Sequence, residues 1–482
     1  MPKSRKLQSV PDTLIIERMR FENPWWASGE IEDDFSPKKP RPYFELFQPL
    51  VETLSVRRAV VLMGPRRVGK TVMMHHSISR LIENGQSPRK ICYINIENPI
   101  YNNIGLERLF ELSRKGVGDL ESEGWFVFFD EIQYLKDWEV HLKVLVDSYP
   151  RAKFIASGSA AAALRMKSLE SGAGRFTEFL LPPLTFHEFI SLKGKERIIV
   201  ESQIEWNGDL KRFYSTTDIS ELNRHFVDYV NFGGYPEVIF SEEIRSNPSR
   251  FIRRDIIDKV LLRDLPSLYG IQNVQELNSF FTTLAYQTAQ EVSLEALSNA
   301  SGVDKNQIRK YLEYLEAAFL IRTVHRVDNS GRRFKRASLF KVYLTNPSLR
   351  SALFSPLAST DDLFGSVVET AVIAQWMHRD WFTPVYARWN RGEVDMVGLG
   401  AKNHKPVWAL EVKWSNRYFN DPSKLSALLW FCTKNDLDSA MVTTIDGDGI
   451  VDYRGVKLYF VPSAMYAYVV GANTLNSKRE KN

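Results

Sequence analysis

The sequence predicts an α/β protein that begins with a mainly parallel sheet flanked by helices and ends with a second, smaller α/β domain. Three observations predict it. Residues Gly64–Thr71 read GPRRVGKT, directly after the apolar run Ala59–Met63 and before a helix-forming stretch. Strand-length apolar runs and helical stretches then alternate as far as Leu181, the order that builds a parallel sheet with helices on both faces. Beyond residue 364, a helix and several strand-like segments carry acids and a lysine at two-residue spacing. A chain of 482 residues is too long for one core, so several domains are expected.

The first element, Ala59–Met63, reads as a buried strand. The loop after it, Gly64, Pro65, Arg66, Arg67, Val68, Gly69, Lys70 and Thr71, leads into a helix N-terminus. That order aims several backbone N–H groups at a polyphosphate. Gly64 and Gly69 let the backbone curl without a Cβ in the way; Lys70 is placed to reach the β- and γ-oxygens, and the Thr71 hydroxyl to ligate Mg²⁺. ATP and Mg²⁺ are the expected cofactors. Arg66 and Arg67 suit contact with phosphate or with a neighbouring molecule. Lys90–Ile96 reads as the next strand and Leu106–Lys115 as a helix. Trp125–Phe129 then runs into Asp130 and Glu131, a doubly buried strand tipped with carboxylates. Downstream of a phosphate loop, Asp130 is expected to hold Mg²⁺ through water and Glu131 to polarise the attacking water. The strand Lys153–Ala156 ends at Ser157, which suits a γ-phosphate contact or a plain turn. Arg175, ahead of the strand Thr177–Leu181, suits either an ordinary surface position or a reach to a neighbouring subunit's γ-phosphate.

These segments resemble the AAA-type P-loop ATPases of bacteria and archaea: GPRRVGKT, FFDEIQ at 128–133, ASGS at 156–159 and GRFTEFLLPPLTFHEF at 174–189. The resemblance runs over most of the chain from about residue 40. It implies ATP hydrolysis and a C-terminal domain of unknown function related to the restriction-endonuclease core. In relatives of the signal-transduction ATPase group a Gly-x-Pro element contacts the nucleotide base or sugar, which implies that role for Gly234, Tyr235 and Pro236. The aromatic and proline-rich segment 23–47 is expected to wrap the sheet.

The middle of the chain reads as mostly helical, with Ile252, Ile256 and Val260 on one face of the stretch Phe251–Leu265. Val292–Val324 is more specific. Ser293 and Asp304 cap two short helices separated by a Ser301-Gly302-Val303 turn. The second helix turns Lys305, Asn306, Arg309 and Lys310 away from its apolar face, the helix-turn-helix pattern. A basic run follows, Arg322, Arg326, Arg332, Arg333, Lys335, Arg336 and Lys341, with an Asn329-Ser330-Gly331 turn inside it. A winged helix with a basic wing suits phosphate neutralisation on DNA; the same module also serves protein contacts.

In the C-terminal third, Gly365–Trp376 is a helix bearing Glu369, and Arg391–Val397 is a strand bearing Glu393 and Asp395. The strand Pro406–Trp414 places Glu411 and Lys413 on one face. This is a restriction-endonuclease-like set. Glu369, Asp395 and Glu411 supply hard oxygen ligands for Mg²⁺, and Lys413 lowers the pKa of water or steadies the phosphate. Such a fold serves equally as a binding platform without cutting.

The expected plan is therefore an N-terminal extension (1–40), an AAA-type P-loop core (41–190), a helical lid (191–285), a winged helix (286–345), a restriction-endonuclease-like α/β domain (346–475) and a polar tail (476–482). Two distant cysteines, no apolar leader and no membrane-length apolar window point to a reducing cytoplasm without membrane insertion. A net charge of +5 is mild for the whole chain. The expected function is an ATP-binding and ATP-hydrolysing DNA-binding protein that couples nucleotide state to DNA binding or remodelling and carries a centre suited to Mg²⁺-dependent nuclease chemistry, with homo-oligomerisation the common route to an arginine supplied in trans. The alternative is a regulatory ATPase whose C-terminal domains bind protein.

Overall fold

Apolar runs of five residues are too short for helices and long enough for buried strands, and the first half of the chain is built on five of them. The computed structural model describes residues 10–31, 39–119, 121–158, 174–206, 209–247, 249–333, 339–379 and 382–479. It divides into two units, Met1–Leu181 and Pro182–Asn482. The break falls ahead of the expected boundary at residue 190.

The first unit runs α1 (Asp12–Glu22), α2 (Trp25–Ser28), α3 (Phe44–Glu52), β1 (Ala59–Met63), α4 (Lys70–Glu83), β2 (Ile91–Asn95), α5 (Leu106–Val117), β3 (Phe126–Asp130), α6 (Trp138–Ser148), β4 (Lys153–Gly158) and β5 (Phe176–Leu180). The sheet order is β2-β3-β4-β1-β5, parallel throughout. Every residue of β1, β3 and β4 is buried, as expected for strands covered on both faces. Because β4 lies between β1 and β3, the tips carrying Gly64, Ser157 and Asp130 open on one edge. Within the expected N-terminal extension, Asn23, Trp25 and Trp26 bond to the edge strand β2. Asn23 mimics a strand partner for the edge strand β2: its Oδ1 accepts from Tyr93 N at 2.6 Å and its Nδ2 donates to Tyr93 O at 2.8 Å. The indoles of Trp25 and Trp26 both donate to Ile91 O. The edge that would otherwise be open to pairing is thereby closed.

The second unit begins with α7 (Phe186–Leu192), a hairpin of β6 (Ile199–Trp206) and β7 (Asp209–Thr216), α8 (Ile219–Phe232), α9 (Pro236–Phe240) and α10 (Glu242–Ser246). A wide π-helical stretch, Ser249–Asp258 and Val260–Asp264, buries Ile252, Ile256 and Val260 as expected. The expected, mostly helical segment thus also contains a hairpin. Its strand residues, including Val200, Phe213 and Tyr214, alternate too weakly between polar and apolar for a strand to stand out in the sequence. Next come α11 (Leu265–Tyr269), α12 (Val274–Tyr286), β8 (Glu291–Ser293), α13 (Leu294–Ser301), α14 (Lys305–Ala317), β9 (Ile321–Val327) and β10 (Leu339–Leu344). The element order and the pairing β9-β10-β8 follow the plan expected of a winged helix, with Ser293 and Asp304 capping α13 and α14.

The chain continues with α15 (Ser348–Leu353), α16 (Phe364–Trp376), β11 (Val385–Trp389), β12 (Gly392–Leu399), β13 (Pro406–Glu411), α17 (Arg417–Asn420), α18 (Ser426–Lys434), β14 (Ser439–Thr444), β15 (Gly449–Tyr453), β16 (Val456–Pro462) and α19 (Ser463–Arg479). The winged helix and the C-terminal α/β region, expected as separate modules, share one nine-stranded mixed sheet of order β15-β16-β14-β13-β12-β11-β9-β10-β8. The join is the parallel pairing of β11 with β9, His325 opposite Val385. A free β9 edge would leave backbone groups unpaired, and β11 satisfies them. Apolar side chains of α16 and α19, among them Val368, Val372, Ala467 and Val470, pack with Met396 and Leu410 in one core. Among the described residues, no helix is long and apolar enough to cross a membrane.

Replacing Asn23 with Ala removes both partners of the Tyr93 backbone at a buried position. The expected loss is about 2–3 kcal/mol, read as a lower denaturant midpoint at unchanged slope for the transition of the first unit.

Candidate functional site

The loop after β1 turns on two residues in the left-handed region, Arg67 at φ 63° and Gly69 at φ 92°. Gly69 forms the N-cap of α4. Gly64 has no room for a side chain, since a Cβ there would lie 2.1 Å from the Leu181 carbonyl oxygen. Lys70 opens α4 and is buried, and its ammonium donates to the carbonyl oxygens of Gly64 at 3.1 Å and Pro65 at 2.8 Å. Arg41 Nη1 donates to Val68 O at 2.8 Å, tying the N-terminal segment to the loop. Arg66 Nη2 lies 3.5 Å from the Tyr134 hydroxyl.

Asp130 is the hub of the site and is 2% exposed. Its Oδ2 accepts from the Thr71 hydroxyl at 2.7 Å and from the Tyr93 hydroxyl at 2.7 Å. Its Oδ1 accepts from the Ser157 hydroxyl and from Glu131 N at 3.1 Å. Glu131 N also lies 3.3 Å from Ser157 Oγ. The backbone of Glu131 is left-handed, φ 53°, which turns the second acid off the strand; the Gln133 amide donates to its carboxylate. The structure therefore brings together Lys70, Thr71, Asp130, Glu131 and Ser157, all read from the sequence. Thr71 and Asp130 are hard oxygen donors already in contact, a donor set that fits Mg²⁺. Bound there, the ion would neutralise charge on the β- and γ-phosphates.

Tyr93 was not among the expected residues; its signal was one hydroxyl in the otherwise apolar strand ICYIN. Burial, then the Asp130 charge, holds its phenol well above the ordinary range. His75, one turn along α4 from Thr71, bonds through Nδ1 to Thr71 O at 2.8 Å. A carbonyl only accepts, so this nitrogen carries the proton. Burial lowers the His75 pKa, partly opposed by the Thr71 hydrogen bond and the Asp130 charge.

Arg175 does not join this cluster. Its carbonyl accepts from Ala59 N, at the start of β1 and so at the opposite end of the sheet from the loop. Its guanidinium pairs with Asp147 at 2.6 Å. Gly234, Tyr235 and Pro236 belong to the second unit, where Gly234 O accepts from Leu184 N and a Cβ on Gly234 would meet Asn346 and Ser348.

The second unit holds a buried charged centre. Glu369 from α16, Glu393 and Asp395 from β12, and Glu411 and Lys413 at the end of β13 converge as the sequence pattern anticipated. Lys413 Nζ lies 2.7 Å from Glu411 Oε1 and 3.3 Å from Asp395 Oδ2, and Val412 N donates to Asp395 Oδ2 at 2.8 Å. Two further residues enter from β10. Lys341 bonds Glu369 Oε1 at 2.9 Å and Glu393 Oε1 at 2.5 Å, and the Tyr343 hydroxyl donates to Glu369 Oε1 at 2.7 Å. Lys341 is therefore no part of a basic wing surface. It lies on a strand between β9 and β8 whose faces are covered, and two-residue alternation puts it beside Tyr343. Burial raises the Glu411 carboxyl to about 7, with the Asp395 charge adding to the effect. For Asp395, burial pushes upward, but Lys413 and Lys341 prevail and hold it below the ordinary carboxylate range. The metal-ligand trio expected at Glu369, Asp395 and Glu411 does not form: among the described residues no three His, Cys, Asp or Glu side chains are arranged to hold a metal ion.

On α14, Lys305, Asn306, Arg309 and Lys310 are exposed, with Asn306 accepting from Arg309 at 2.8 Å. Arg332 and Arg333 line a cleft of about 730 Å³ together with His404, Lys405 and Lys434. Lys335 and Arg336 lie outside the described residues.

Residues 56–190 match the family model of an AAA domain, and residues 223–360 match a domain of unknown function (DUF8612). The first unit thus carries an AAA-type P-loop ATPase domain. The second match ends ahead of Glu369, Asp395, Glu411 and Lys413; it takes in the helical segment and the winged helix. The uncharacterized protein MJ1544 of Methanocaldococcus jannaschii is 27% identical over 365 residues, 74% of this chain and 76% of that protein. An uncharacterized protein of Haemophilus influenzae is 23% identical over 346 residues, 71% and 79% of the two chains. Among solved structures, the Walker-type ATPase PABY2304 of Pyrococcus abyssi aligns with 65% of this chain and 94% of its own at 15% identity, TM-score 0.36. The ORC2 protein of Aeropyrum pernix, in its ADPNP–ADP complexes, aligns with 70% and 96% at 14% identity, TM-score 0.38.

The lowered His75 pKa has a definite sign. The unfolded chain binds a proton near pH 6.5 that the folded ring resists, so the stability from this group is present above pH 6.5 and drains as pH falls. Urea midpoints at pH 5.5 and 7.5 are expected to differ less in His75→Gln than in wild type.

Proposed function

We propose that the chain is an ATP-binding and ATP-hydrolysing DNA-binding protein that couples nucleotide state to DNA binding or remodelling. The observation that carries the ATPase part is the shared carboxylate of Asp130, which joins the Mg²⁺-ligand hydroxyl of Thr71 to the sensor hydroxyl of Ser157. In this reading Lys70 would leave its loop carbonyls for the β- and γ-phosphates, Thr71 directly and Asp130 through water would hold Mg²⁺, and Glu131 would polarise the attacking water. Arg175 lies at the far end of its own sheet, so a role for it at a γ-phosphate requires a second copy of the chain. Homo-oligomerisation is accordingly part of the proposal.

The DNA part is supported by the exposed polar face of α14 and by the basic cleft beside the wing. Lys305, Asn306, Arg309 and Lys310 suit a recognition helix, and Arg332, Arg333 and Lys405 suit backbone phosphates. A second reading, a regulatory ATPase whose second unit binds protein and does not cleave nucleic acid, is favoured by one observation. A second lysine, Lys341, sits inside the acidic centre in addition to the expected Lys413.

Two measurements test these readings. Lys70→Ala is expected to abolish ATP turnover, and Glu131→Gln to keep ATP binding while turnover falls about 10²–10⁴-fold; full turnover in Lys70→Ala would overturn the ATPase assignment. Binding to single-stranded, duplex and branched DNA is expected to weaken with salt. Arg332→Ala and Arg333→Ala should each reduce the slope of log K against log salt by about 1. Turnover and binding indifferent to every nucleic acid would leave the regulatory reading standing.

A further inference from the structure

The resemblance to a restriction-endonuclease core implies Mg²⁺ at Glu369, Asp395 and Glu411, and the side chains present do not fit that arrangement. The space between the carboxylates belongs to an ammonium. Lys341 Nζ lies 2.9 Å from Glu369 Oε1, 2.5 Å from Glu393 Oε1 and 3.8 Å from Asp395 Oδ1. These three oxygens come from α16 and β12, and the lysine comes from the winged-helix strand β10, so the contact joins both parts of the second unit.

The lysine is held, not merely nearby. It is 3% exposed, and the ring of Tyr386 faces its ammonium at 5.3 Å, a distance at which a cation is attracted by the ring. The Tyr343 hydroxyl fixes the same Glu369 oxygen from the same strand. On the other side of Asp395, Lys413 takes Oδ2. The outer oxygen of Glu393 pairs with Arg388 at 2.7 Å. Buried carboxylates need a cation or hydrogen-bond donors, and here both inner cations are supplied by the chain itself.

We propose that Lys341 is the built-in cation of this centre: its ammonium takes the charge-balancing place of a divalent ion, keeps Mg²⁺ and Mn²⁺ out, and makes the centre a structural clamp and not a phosphodiester-cleaving site. An ammonium on a strand offers no open coordination position and generates no metal-bound hydroxide. Its N–O contacts of 2.9 and 2.5 Å are hydrogen-bond lengths, longer than the about 2.0–2.1 Å at which Mg²⁺ holds its oxygen ligands. The inference goes beyond the ATPase and DNA-binding reading and is read out separately from it, by metal uptake.

The test is Mn²⁺ binding and thermal unfolding of the full-length, nucleotide-free protein. Wild type is compared with Lys341→Met, Lys341→Arg, Asp395→Asn and the Lys341→Met, Asp395→Asn double variant. All five share the same phosphate loop, so differences among them belong to the second unit. Lys341→Met is expected to bind one more Mn²⁺ per chain than wild type, and its Tm to rise by roughly 5 °C when saturating Mn²⁺ replaces EDTA. The double variant loses that gain, and Lys341→Arg never acquires it. A folded Lys341→Met with no added Mn²⁺ overturns the proposal. If Lys341→Met does not fold even with Mn²⁺, wild type and Asp395→Asn decide: equal Mn²⁺ binding upholds the proposal, and a loss in Asp395→Asn overturns it. Mg²⁺-dependent DNA cleavage by wild type that disappears in Asp395→Asn also overturns it.

Discussion

Asp130 shares its two buried oxygens among the hydroxyls of Thr71, Tyr93 and Ser157 and the amide of Glu131. A carboxylate withdrawn from water must be met by donors, and meeting this one draws together the first turn of α4 and the ends of β2, β3 and β4. The strand order follows the same requirement. With β4 between β1 and β3, Ser157 stands beside Asp130 on one side while Thr71 reaches it from the helix that the loop launches. The outcome is a phosphate loop and an acidic strand tip already in register for a nucleotide and its metal.

The same constraint organises the second unit with a different solution. Four carboxylates, Glu369, Glu393, Asp395 and Glu411, meet below the sheet surface, and hydroxyl and amide donors are too few to balance them. Lysines from β10 and from the end of β13 supply the balance. Because β10 belongs to the winged helix and β12 and β13 to the C-terminal region, the ion pairs reinforce the continuous nine-stranded sheet. The winged helix is therefore not an independent module on a linker.

The nucleotide site was legible because its chemistry is local. GPRRVGKT needs only its own eight residues and the flanking strand and helix to define a turn, and FFDE carries its role in the contrast between an apolar run and two acids. Tyr93 is harder to read, since one hydroxyl in a mainly apolar strand acquires meaning only from register: Asn95 lies opposite Asp130, and Tyr93, two residues earlier, donates its hydroxyl to Asp130 Oδ2. Asn23 acts as it does because of a contact seventy positions away, which no local pattern encodes. In the C-terminal third, Glu369, Asp395, Glu411 and Lys413 were readable as a set from alternation on their strands. Lys341 was read as one more charge in a basic run.

From the sequence alone came the parallel phosphate-loop sheet, the capped helix pair with its basic face, and the identity of the acids in both centres. All of these rest on spacing along one segment, where periodicity translates directly into a face. Tertiary structure alone decided that Asn23, Trp25 and Trp26 seal the sheet edge, that Arg175 lies at the far end of the sheet from the loop, that β9 and β11 merge two expected domains, and that Lys341 fills the acidic centre. Each depends on pairing between distant segments, and the side on which a buried charge finds its partner is settled only when those segments meet.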